Sequence, residues 1–81
     1  MNIRIGAHVE ATDGRVGDVS RIVVAARGRR LTELVVRDGR VFGTERLVPM
    51  EDVTNASSDK VSLRVSHAQF NLLPPYSRTV D

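Results

Sequence analysis

Val16-Gly17-Asp18-Val19-Ser20-Arg21-Ile22-Val23-Val24-Ala25-Ala26 is the stretch on which the fold turns. Its apolar positions change phase: Val16, Val19 and Ile22 lie three apart, and Val23-Val24 then follow without a gap. Three-residue spacing suits one face of a helix, so helix and strand compete for this segment. The Val and Ile content, Gly17 inside the run and turn residues at both ends decide for a strand. A strand this long keeps its apolar side chains inward only with a bulge or strong bend near Gly17-Asp18, as barrels commonly require.

Upstream, His8-Val9-Glu10-Ala11-Thr12 alternates polar and apolar, and Asp13-Gly14 supplies the left-handed residues of a tight hairpin. Downstream, Arg27-Gly28-Arg29-Arg30 is a turn, and Leu31 to Arg37 is a strand with Leu34 and Val36 on one face and Val35 on the other. Asp38-Gly39 marks a second hairpin leading into Arg40-Val41-Phe42 and, past Gly43, into Arg46-Leu47-Val48-Pro49, where proline ends the strand or places it at an edge. Met50-Glu51-Asp52-Val53 reads as a helical turn or corner, and Thr54 to Ser57 as a short strand. Lys60 to Val65 is the cleanest alternation, with Val61, Leu63 and Val65 inward. Ser66 then fits an N-cap with Gln69 three residues on, and Val65 and Phe70 fit a hydrophobic staple, so a short helix starts there and stops before Pro74. Phe70, Leu72 and Leu73 are placed to lie as a lid over an open barrel end.

The reading is therefore all-β: one domain over residues 1–81, a small barrel of five to six strands with a short C-terminal helical turn. Eighty-one residues are close to the size at which one apolar core only just outweighs the entropy lost on folding, which favours help from a sister subunit. The chain has no cysteine, so no disulfide or thiolate metal site staples it. It has no run approaching a membrane span and no export-type apolar segment after Met1, so the expected compartment is the cytoplasm. Net charge is +2, too slight to imply nucleic acid, although eleven of the twelve basic residues are Arg.

The ordered set Asp13-Gly14-Arg15-Val16-Gly17-Asp18-Val19, Leu34-Val35-Val36, Leu47-Val48-Pro49 and Leu73-Pro74-Pro75-Tyr76 resembles the PRC-barrel family, the barrel shared by the photosynthetic reaction-centre H subunit and a ribosome maturation factor. The resemblance runs from Gly6 to Tyr76. It implies a compact barrel that acts as an assembly or docking module. The resemblance covers the barrel and not the membrane helix or the partner domain of those two proteins, so neither photosynthesis nor ribosome maturation is carried over residue by residue.

No catalytic, metal or cofactor residue is nominated. His8 and His67 are far apart in sequence with no cysteine to join them, Asp13 and Asp18 lack the ligand density of a calcium loop, and the serines sit in turns and a cap. An enzyme is not expected. A barrel this small has few inward positions, and Val23 or Val24, Val35, Val41 and Phe42 exceed them. Val35, Val41 and Phe42 are accordingly expected to form an outward partner surface, with self-association into a homo-oligomer as the first reading and the protein partner unspecified. The alternative is RNA phosphate contact through Arg27, Arg29 and Arg30, the densest positive patch, against which stands the scarcity of aromatic side chains for base stacking.

Overall fold

The computed structural model describes residues 3–25, 28, 30–38 and 44–76. Six strands form one sheet: β1 (His8–Ala11), β2 (Gly14–Val24), β3 (Leu31–Arg37), β4 (Glu45–Pro49), β5 (Val53–Ala56) and β6 (Lys60–Leu63). A 3₁₀ turn at Met50–Asp52 joins β4 to β5, and a single helical turn, α1 (His67–Phe70), follows β6. The first four strands are an antiparallel meander. β6 returns to lie parallel to β1, and β5 pairs antiparallel with β6, giving the order β4-β3-β2-β1-β6-β5. The all-β reading holds. The sheet is curled but not closed, because no ladder joins β4 to β5 among the described residues. The closed cylinder implied by the word barrel is corrected to an open one.

β2 shows how the phase change is resolved. Toward β1, Val9 faces Gly17 and Glu10 faces Arg15, so Val16 is an extra residue; toward β3, Val19 faces Val36 and Arg21 faces Val35, so Ser20 is another. Each bulge turns the strand by half a period. The two together let Val16, Val19 and Ile22 all meet the core despite their three-residue spacing. The bulges bracket the expected Gly17-Asp18 position. At Gly17 the backbone of β3 leaves no room for a side chain: a β carbon there would lie 1.9 Å from the Arg37 carbonyl oxygen.

The core contains Val9, Val16, Val19, Leu34, Val36, Val48, Val61, Leu63 and Phe70. Val61 and Leu63 are buried as the alternation of β6 required, although the strand ends at Leu63 rather than Val65. At the first hairpin, Ala11 faces Gly14, which makes Thr12-Asp13 the two turn residues and Gly14, at φ +138°, the first residue of β2.

α1 closes one end. Ser66 Oγ accepts a hydrogen bond from the Gln69 amide at 3.2 Å and the Ser66 amide donates to Gln69 Oε1 at 2.9 Å, a complete capping box. Asp13 Oδ1 also accepts from the His67 amide at 2.8 Å, tying the β1–β2 turn to the first turn of the helix. Phe70 is fully buried and Leu73 packs against the core, but Leu72 is 84% exposed. The expected three-residue lid is therefore Phe70 and Leu73 alone, since Leu72 lies in the turn that follows α1 and points to solvent.

Candidate functional site

Past α1 the chain returns along the free side of β4. The Leu47 amide donates to the Pro74 carbonyl at 3.0 Å, the Tyr76 amide donates to the Glu45 carbonyl at 2.8 Å, and Arg46 pairs with Pro75. Arg46 Nη1 adds a bond to the Leu73 carbonyl at 3.0 Å. This strap covers one sheet edge with backbone of the same chain, while the opposite edge, β5, has a strand partner on one side only among the described residues. Thr54 and Asn55 in β5 are exposed. An edge strand of this kind presents unpaired amide and carbonyl groups to solvent.

The strap also explains Val35. Cross-strand register puts Arg21, Val35 and Leu47 side by side on the sheet face that points away from the main core. Arg21 reaches over this row until its guanidinium carbon stands 5.9 Å from the centre of the Tyr76 ring. Val35 faces outward, as its alternation implied, but it is fully buried and does not belong to the main core cluster. Its expected place on an open partner surface is corrected. Val41 and Phe42, the other members of that surface, lie outside the described residues. Arg30 is exposed, and its companions Arg27 and Arg29 also lie outside the described residues.

Beside this covered row is a cleft of about 610 Å³ lined by Ile5, Gly6, Asp18, Val19, Ser20, Arg21, Arg37 and Glu45. The Ser20 bulge and the N-terminal segment build it. The Gly6 amide donates to the Val19 carbonyl at 2.7 Å and the Val19 amide donates to the Ala7 carbonyl at 2.9 Å, which pins the segment against β2. Ile5 is left at the lip, 67% exposed.

The two carboxylates of the cleft are already engaged. Ser20 Oγ donates to Glu45 Oε2 at 2.7 Å. Asp18 Oδ1 accepts from Arg15 Nη2 at 2.7 Å and stands 3.2 Å from His8 Nδ1. The Arg15 guanidinium holds the Asp18 carboxyl below the ordinary carboxylate range, with His8 assisting and partial desolvation opposing. A depressed carboxylate contributes stability that is present above its unfolded pKa and is lost as pH falls through the folded one. Because these side chains are about half exposed, solvent screening keeps that contribution small. Carboxyl-detected NMR titration should show Asp18 rising toward the ordinary aspartate value in Arg15→Gln, with little change in the melting temperature. An unchanged Asp18 titration in that variant rules out Arg15 as the cause.

The cations of the cleft are not engaged in the same way. Neither Arg21 nor Arg37 forms an ion pair with a described residue. Arg21 Nε is enclosed and has no hydrogen-bond partner. Sequence reading noted Arg37 only as positive charge beside the Asp38-Gly39 turn and missed Arg21, one Arg among eleven. The one local signal is the phase change of β2, which places Arg21 directly after the bulged Ser20.

His8 and His67 stand apart: His8 is beside Asp18, and His67 contacts Phe70 edge to face at 6.5 Å. No group of three potential metal ligands occurs among the described residues. No helix among them is long and apolar enough to cross a membrane. The family model for the PRC-barrel domain matches residues 5–69, which takes in all six strands. No curated protein matches the chain.

Proposed function

The chain belongs to the PRC-barrel family, and from that premise we propose that it is a non-enzymatic interaction and assembly module that associates with a second copy of itself. Membership of the family supports a small interaction module in general. Self-association rests on one observation, the contrast between the two sheet edges: β4 is covered by the chain's own Leu73–Tyr76 strap, and no described residue pairs with the outer side of β5. Two β5 edges meeting antiparallel about a two-fold axis join two six-stranded sheets into one and satisfy the free backbone groups of both. Apolar side chains at Val53 and Ala56 continue the core to this edge. Four residues are a short ladder, so the dimer is expected to be weak and concentration dependent.

Sedimentation velocity over a wide concentration range tests this. The unmodified chain should pass from monomer to dimer. Asn55→Lys places a charge on each of the apposed edges while altering an exposed residue, so its dimer should weaken about tenfold or more with an unchanged circular dichroism spectrum. A chain that stays monomeric at every concentration, or an Asn55→Lys variant that dimerises as well as the parent, removes the β5 edge as the contact.

A further inference from the structure

We infer that the cleft between the N-terminal segment and the outer face of β2, β3 and β4 is a binding site for a small monocarboxylate with a compact apolar body. Its volume of about 610 Å³ falls within the roughly 300–1,000 Å³ of small-ligand clefts. Its charges are equal in number, Arg21 and Arg37 against Asp18 and Glu45, but they are not equally free. Asp18 is neutralised from outside the cleft by Arg15 at 2.7 Å, and one oxygen of Glu45 is taken by the Ser20 hydroxyl at 2.7 Å. Two arginines without an ion pair to any described residue therefore line the space, and they set its preference for an anion.

Arg21 is also preorganised. Its stem crosses the Val35 row, its guanidinium rests against the Tyr76 ring, and its Nε is enclosed, so its terminal nitrogens are held in place before any ligand arrives. A planar guanidinium fork matches a carboxylate in two parallel hydrogen bonds. Arg37 is on the neighbouring strand, on the same sheet face and directly opposite Glu45. The Glu45 and Asp18 carboxylates at the rim penalise a second negative charge, which favours a monoanion over a phosphate dianion. Ile5, which has two-thirds of its surface open at the lip, supplies the apolar wall. This proposal stands apart from the dimer, since β5 lies at the far end of the sheet order from the strands that line the cleft.

The experiment titrates the full chain with N-acetyl-leucine, N-acetyl-leucinamide and inorganic phosphate while amide NMR shifts are followed. N-acetyl-leucine should saturate in the millimolar range and move the amides of Ser20, Arg21 and Arg37, and the amide and phosphate should bind at least about tenfold more weakly. Arg37→Gln, at an exposed position, should lose about tenfold in affinity with its urea midpoint unchanged. A tripeptide Ala-Ala-Leu with a free carboxylate separates two sources of the same group: tighter binding than N-acetyl-leucine assigns the cleft to chain termini, and equal binding to free acids. Equal binding of acid and amide, shifts that never saturate, or full affinity in Arg37→Gln overturns the proposal.

Discussion

Gly17→Ala should leave the chain largely unfolded at room temperature. The added β carbon would stand 1.9 Å from the Arg37 carbonyl oxygen, 2.8 Å from the carbonyl carbon and 3.2 Å from the Asp38 α carbon, all backbone of β3 and its end. No side chain can rotate to relieve this. β2 and β3 must move apart by more than an ångström where Asp18 faces Arg37, and the same movement breaks the pairing of Val19 with Val36 in the core. Overpacking of a well-packed site costs about 1–3 kcal/mol, and more when backbone pairing is lost with it. A domain of this size holds only about 4–12 kcal/mol in total. Urea unfolding followed by circular dichroism should show a midpoint reduced by half or more, or no folded baseline. A midpoint equal to that of the parent chain dismisses the close approach of the two strands.

Gly17 also marks how far local sequence carries the fold. The β-branched run of β2, the need for a bulge beside Gly17, the outward alternation of Val35 and the Ser66-Gln69 capping box all depend on neighbours within a few residues, and all are present. What escaped reading depends on distant partners. Val35 faces away from the core as its position demands, yet it is fully buried, on a row whose Arg21 reaches toward Tyr76, and the strap along β4 is what sets Tyr76 there. Asp13 looked like a turn residue and nothing more; its second task, accepting from the His67 amide, spans 54 positions of chain. The β5 edge, unpaired on its outer side among the described residues, was equally hidden. Hydrophobic alternation reports which face of a strand is buried, but it is silent on which edge finds a partner. The cleft was missed for a related reason: its cations are ordinary arginines until the bulge aims one of them and the salt bridge of Arg15 removes its carboxylate competitor.

Phe70→Ala and Leu72→Ala, two residues apart, should differ more than any other neighbouring pair in the chain. Phe70 heads the fully buried side chains by volume, and it enters the core from a helix of only four residues. A helix so short has no stability of its own. It is held by the capping box, by Asp13 and by the phenyl ring itself, so removing the ring leaves a cavity and also releases the element that carries it. Truncating a buried phenylalanine costs about 3–5 kcal/mol. For a domain of this length each kcal/mol shifts the melting temperature by about 4–8 °C, so calorimetry should record a fall of about 15 °C or more. Leu72, with 84% of its surface in water, has almost no burial to lose, and its variant should melt within about 2 °C of the parent. If the two variants melt together, α1 is not the plug of the open end. The strap that follows it would then be anchored by β4 alone, and Tyr76 would keep its place over Arg21 whatever happened at Phe70. Tyrosine fluorescence of Phe70→Ala, read below its melting point, separates these cases: a plug that anchors the strap predicts an altered Tyr76 signal, and an independent strap predicts the parent spectrum.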